Sequence, residues 1–125
     1  MNKRKVDDLI PKAVEILTDT GIVNKEGKIK KTYRGQISTF GAAIINGSLI
    51  SAVAFFSDNG NSSTERSKLI EAIGKLIPES REDLFEYVKK SGKSKKKEVK
   101  EEILNAAIAL KLAMNLYNLE KETEE

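Results

Sequence analysis

Apolar positions recur at helical spacing along most of the chain. Over residues 5 to 20, Val6, Leu9, Ile10, Ala13, Val14 and Leu17 fall on one face, which predicts an amphipathic helix. With Asp7 or Asp8 as N-cap, Pro11 falls in the first turn, where its missing N–H has no intrahelical partner to lose; Gly21 ends the helix. Asn24 to Lys31 is polar around Gly27 and reads as a loop.

The segment Tyr33 to Asp58 organises the rest. From Gln36 to Ser57 it carries no charge in a protein that is 33% charged, so it belongs inside something. A membrane span is disfavoured by Gln36, Ser38, Thr39, Asn46, Ser48, Ser51 and Ser57 and by the Asn46-Gly47 turn signal. A β-hairpin about that turn conflicts with Ala42, Ala43, Ala52 and Ala54, which are poor strand formers. Tyr33, Ile37, Phe40 and Ile44, then Leu49, Val53 and Phe56, step at helical intervals. Two helices are therefore predicted, with Gly47 as a left-handed C-cap and Ser48 as the next N-cap. Gly35 and Gly41 inside the first of them each cost about 1 kcal/mol against alanine. Such a cost suggests a close neighbour along the Gly41-Ala42-Ala43 face, either within the core or on another protein.

Ser62 and Glu65 form a capping-box pattern before Leu69, Ile70, Ile73, Leu76 and Ile77, and Pro78 stops that helix. Ser80-x-x-Asp83 resembles a second cap, with Leu84, Phe85 and Val88 as its apolar side. A mobile, lysine-rich loop is then expected to run into a last helix from about Lys96 to Glu122. In that helix Val99, Ile103, Ala106, Leu110, Ala113 and Tyr117 form one apolar line, and Leu104, Ile108, Leu112, Leu116 and Leu119 form a second. Asn105, Lys111, Asn115 and Asn118 are left for water, so the helix either packs centrally or offers one stripe to a partner. Residues 120 to 125 read as a frayed acidic tail. The fold class is thus all-α: a single-domain helical bundle of about five or six helices with a long C-terminal helix.

Composition narrows the chemistry. The chain has no cysteine and no histidine, which removes thiolate nucleophiles, Ser-His-Asp triads and conventional zinc sites. The carboxylate pairs Asp7-Asp8, Glu82-Asp83 and Glu101-Glu102 are adjacent, and neighbours on a helix point about 100° apart, so they do not converge on one ion. No glycine-rich phosphate loop is present. No catalytic residue, metal, cofactor or small-molecule substrate is expected, and the chain is not read as an enzyme. The basic start Lys3-Arg4-Lys5 runs directly into Val6-Asp7-Asp8 without a signal-peptide pattern, so a cytoplasmic location is expected.

A net charge of +3 says little, but its distribution says more. Lys28, Lys30, Lys31 and Arg34 form a basic edge beside Tyr33. Residues 89 to 100 hold seven lysines against one glutamate, with Lys89, Lys90, Lys93, Lys95, Lys96 and Lys97 as the cluster. Each group reads either as a solvated charge run or as a phosphate-contacting edge, since flexible lysines neutralise phosphates without reading bases. No helix-turn-helix is evident, because the turn at Gly47 joins two apolar helices.

Tyr33, the run Phe40-Gly41-Ala42-Ala43-Ile44-Ile45, Leu49 and Ala52-Val53-Ala54-Phe55-Phe56 resemble the small all-helical subunit of the Cmr complex, the type III-B CRISPR effector of the RAMP module. Ala109-Leu110-Lys111-Leu112-Ala113 is similar to that family's last helix. One departure is that Ser48 stands between Gly47 and Leu49, where the family's glycine directly precedes the leucine. The resemblance implies a non-catalytic prokaryotic subunit in antiviral defence, stacking with copies of itself and with other subunits along guide and target RNA. Base pairing would then read sequence while protein supplies charge and shape. The competing expectation is a free-standing helical DNA-binding or regulatory protein, homodimeric through its last helix.

Overall fold

The structure, a computed structural model, describes residues 2–57 and 64–121, without the side chains of 64 and 65. In order it runs α1 (Lys3–Asp19), β1 (Lys28–Ile29), α2 (Lys31–Asn46), α3 (Leu49–Phe56), α4 (Thr64–Lys75), a 3₁₀ turn (Pro78–Ser80), α5 (Leu84–Lys90), α6 (Gly92–Met114) and β2 (Asn118–Leu119). The architecture is all-α, as the spacing predicts. Among the described residues no helix is long and apolar enough to cross a membrane.

Helix α6 is the axis of the bundle. Its longest contact is with α1, and α2, α4 and α5 also pack against it. Val99, Ile103, Ala106, Leu110 and Ala113 of the predicted line are buried, together with Ala107, Ala109 and Met114; Tyr117, its last member, lies past the end of α6 and is half-buried. One face of the central segment is inside: Tyr33, Ile37, Phe40 and Ile44 of α2 and Leu49, Val53 and Phe56 of α3 are all buried, whereas Ile45, Ile50 and Phe55 on the other side are exposed. Phe40 and Phe56 meet edge to face with centroids 5.1 Å apart, joining the two helices by a contact of about 0.5–1.5 kcal/mol beyond area burial.

Several boundaries differ from the sequence reading. Helix α1 starts before Asp7, because the Asn2 side chain accepts from the Lys5 N–H at 3.2 Å; Pro11 therefore lies inside the helix rather than in its first turn. Interior proline disfavours a helix by about 3 kcal/mol, and burial of Val6, Ala13, Ile16 and Leu17 offsets this. Gly47 is not left-handed: its φ is −134°. It is needed for space instead, since a Cβ there would lie 2.9 Å from the Ala43 carbonyl oxygen. Ser48 does cap α3, accepting from the Ser51 N–H at 3.4 Å. A Cβ built on Gly35 or Gly41 meets nothing within 4 Å among the described residues, so the expected close neighbour does not sit on either glycine, while Ala43 packs against the core.

The Ser62–Glu65 capping box lies outside the described residues and side chains. Asp83, not Ser80, caps α5, accepting from the Glu86 N–H at 3.1 Å. Ser80 is buried and ties the turn, donating to the Gly74 carbonyl at 3.0 Å and accepting from the Glu82 N–H at 3.2 Å. The lysine-rich stretch is not a loop. Ser91 alone separates α5 from α6, and Gly92, at φ +67°, takes the left-handed turn that lets the chain reverse there.

The C-terminal end departs most. Helix α6 stops at Met114, and Asn118–Leu119 then pairs in parallel with Lys28–Ile29, within the segment read as a loop. The Glu120 N–H donates to the Ile29 carbonyl at 2.8 Å, and its carboxylate accepts from Asn24 Nδ2 at 2.8 Å, so this residue is anchored and not part of a frayed tail. Residues 122–125 lie outside the described residues. Asn105, assigned to water by the pattern, is buried, and its Oδ1 accepts from the Asn2 N–H at 3.1 Å.

Candidate nucleic-acid interface

The ten basic residues singled out from the sequence form two groups at opposite ends of α6. At its N-terminal end Lys93, Lys95, Lys96 and Lys97 lie in the first turns and are exposed, with Lys89 and Lys90 beside them at the end of α5. The start of α6 has no side-chain cap and no acidic residue in its first turn. Its dipole presents about half a positive charge there, so these lysines oppose the local helix electrostatics. Lys89 lies 3.7 Å from Glu86, an exposed pair that adds little stability.

The C-terminal group is assembled by the small ladder. Lys28 is half-buried in β1, and its backbone N–H donates to Asn24 Oδ1 at 3.0 Å. Lys30 precedes α2 as its N-cap residue, and Lys31 opens the helix, both exposed. Arg34, one turn on, is half-buried and donates from Nη2 to Asn115 Oδ1 at 2.7 Å, just past the last turn of α6. Lys31, Arg34, Thr32, Gly35 and Leu119 line a shallow hollow there.

Between the groups runs the outward stripe of α6: Lys93, Lys97, Lys100, Leu104, Ile108, Lys111 and Asn115. Lys100, Leu104 and Ile108 are half-buried, and the others are exposed. Lys100 stands outside the predicted cluster, and Lys111 is among the positions that the pattern gives to water. Their signal was in the sequence as helical spacing from Lys93, but it becomes visible only once the stretch is known to be helix rather than loop.

The adjacent side of the same helix is different in sign. A cleft of about 830 Å³ is floored by Leu9, Leu76, Ile77 and Val99 and edged by Asp8, Glu79, Glu98, Glu101 and Glu102, with Lys5, Lys95 and Lys97 also on its lining. Tyr87 Oη donates to Glu102 Oε1 at 2.6 Å across it. Burial first, then that bond and the charges of Glu102 and Glu79, push the Tyr87 hydroxyl well above its usual pKa of 10.0. The paired carboxylates have separate positions: Asp83 caps α5, Glu82 meets Lys75 at 3.2 Å, and Glu102 receives Tyr87. The Glu82 partner raises the Lys75 pKa. Among the described residues no group of three or more carboxylates is placed to hold a metal ion.

Among the described residues the exposed large apolar side chains are Ile45, Ile50 and Phe55 around α2 and α3, and Leu112, Leu116 and Leu119 at the C-terminal end. The Arg66 guanidinium lies 4.4 Å from the Phe55 ring centroid, which shields part of that ring. The second apolar line predicted for the last helix is accordingly only half-covered at Leu104 and Ile108 and exposed beyond.

No curated protein and no solved structure matches the chain. The sequence model of the family described as CRISPR-associated protein (Cas_Cmr5) matches residues 12–115, which span α2, α3 and all of α6. The chain therefore belongs to the Cas_Cmr5 family, the small subunits of the type III-B CRISPR effector complex.

Proposed function

We propose that this chain is a non-catalytic subunit that stacks with copies of itself and with neighbouring subunits along the guide–target duplex of an RNA-guided, RNA-targeting complex. In this reading Lys28, Lys30, Lys31, Arg34, Lys89, Lys90, Lys93, Lys95, Lys96 and Lys97 supply positive charge to the phosphate backbone. The observation that carries it is their segregation into two solvent-facing groups at the ends of one helix, in a member of a CRISPR effector family. Stacking is supported by the apolar side chains exposed on two faces among the described residues, since contiguous exposed apolar surface marks interaction sites.

The test is to purify the tagged chain from its native cells, sequence the RNA that accompanies it and identify the proteins by mass spectrometry. Short RNAs with a repeat-derived end and several larger subunits are the expected result. Recovery of the chain alone, or only with itself and without RNA, would favour the homodimeric regulator. In vitro, four phosphate contacts on a single strand give a log–log salt slope of roughly −2.8, and a flat salt response removes the nucleic-acid part of the reading.

A further inference from the structure

We infer that one nucleic-acid strand runs lengthwise along the outward stripe of α6, bridging its two basic ends, and that it is kept off the cleft side of the helix. This rests on the backbone-contact reading above and specifies its path, its length and the residues it meets. Lys97 and Asn115 are eighteen residues apart in a continuous helix up to Met114. That separation is five full turns, which puts them on one side of the helix about 27 Å apart. Arg34 is held at the far end by its bond to Asn115, so a guanidinium caps the stripe at one end and Lys93, Lys97 and Lys100 occupy the other.

The stripe from Lys93 to Asn115 carries four lysines and no carboxylate. All three glutamates of α6, Glu98, Glu101 and Glu102, line the cleft, where Asp8 and Glu79 add to them and outnumber Lys5, Lys95 and Lys97 on the same lining. A phosphate chain displaced to that side would meet like charge. The stripe is also not uniformly basic: Leu104 and Ile108 fill the interval between Lys100 and Lys111, roughly 16 Å at 1.5 Å per residue. That interval gives phosphates no cation, so the strand is anchored twice and crosses an apolar saddle between anchors.

Two anchors set a minimum length. In a helical conformation a strand advances about 3.4 Å per phosphate, so about 8 nucleotides are needed to reach from one anchor to the other. A shorter strand neutralises one end only. The orientation also divides the lysine cluster: Lys93 and Lys100 face the strand, Lys97 stands where the stripe borders the cleft, and Lys95 lies on the opposite side of the helix, on the cleft lining.

The experiment uses the full chain and oligouridylates of about 4, 8 and 12 nucleotides, with the salt slope read at each length. The slope is expected to steepen between about 4 and 12 nucleotides. Replacing Lys93, Lys97 and Lys100 together by glutamine should flatten the slope for the longest strand by about 2, at roughly 0.7 per phosphate lost, whereas Lys5→Gln, on the cleft lining, should leave it unchanged. A slope equal at every length, or a Lys5→Gln effect as large as that of Lys100→Gln, overturns the lengthwise path while leaving backbone contact intact. No salt-dependent binding at any length overturns both.

Discussion

The two basic ends of α6 carry charge of the same sign on supports of opposite kind. At the C-terminal end the charges are fixed by tertiary structure: Ile29 is fully buried, the β1–β2 ladder holds Lys28, and Asn115 holds Arg34. At the N-terminal end Lys93, Lys95, Lys96 and Lys97 make no ion pair with another described residue and sit on an uncapped helix start whose dipole opposes them. One end is pre-ordered and gives up little freedom when a phosphate arrives. The other keeps its side-chain entropy until then and adapts. Stability and binding should therefore be linked at the first end and opposed at the second.

The largest effect comes from the support of the ordered end. Ile29→Ala removes a fully buried side chain from β1 and should destabilise the chain by about 2–5 kcal/mol in denaturant unfolding. A loss well under about 1 kcal/mol would mean that the ladder does not hold this end. Asn115→Ala frees Arg34 and should lower stability by about 1 kcal/mol or less, with a weaker affinity for a strand long enough to bridge. Unchanged affinity would show that ordering Arg34 contributes nothing to binding.

At the adaptable end the signs should separate. Lys93→Glu places a carboxylate in the first turn of α6 and should raise stability by about 0.3–1 kcal/mol at low ionic strength while weakening RNA binding. The stability gain should fade in high salt, because an exposed charge is screened. A loss of both together would make the two ends alike.

The smallest effect concerns the cleft beside that end. The Tyr87 hydroxyl titrates above its usual 10.0 in the folded chain, so above that pH the unfolded chain releases a proton that the folded chain keeps. Its contribution to stability is thus fully present below pH 10.0 and is lost as pH rises from there toward the folded value. Ultraviolet titration should show the Tyr87 hydroxyl ionising late, and the difference between this chain and Tyr87→Phe should isolate that step. A difference that falls at the ordinary tyrosine range would detach Tyr87 from Glu102.

Periodicity alone was enough for the interior. Tyr33, Ile37, Phe40, Ile44, Leu49, Val53 and Phe56 are buried as their spacing requires, because a helix that repeats every 3.6 residues allows only one solution for a one-sided apolar stripe. The same logic gave the helical class and the Ser48 cap, and the uncharged central segment located the family resemblance. Local composition also singled out ten basic residues near the ends of α6, and left out Lys100 and Lys111 on that helix and Lys5 beside it.

Tertiary structure decided what those residues are to one another. Seven lysines with serine and glycine read locally as a loop; the stretch is helix because burial of Val99, Ile103, Ala106 and Leu110 further along holds α6 in place against its own unfavourable start. A two-residue strand has no periodicity to detect, so β1 and β2 exist only through their pairing across the chain. Asn105 looked like a solvent position because helical spacing records only apolarity, and it became interior when Asn2 supplied a donor. Residue type and spacing determined which side chains prefer water, whereas the arrangement of two basic ends along one stripe, with the carboxylates on the neighbouring side, depends on the straight rise of α6 and on the elements packed around it.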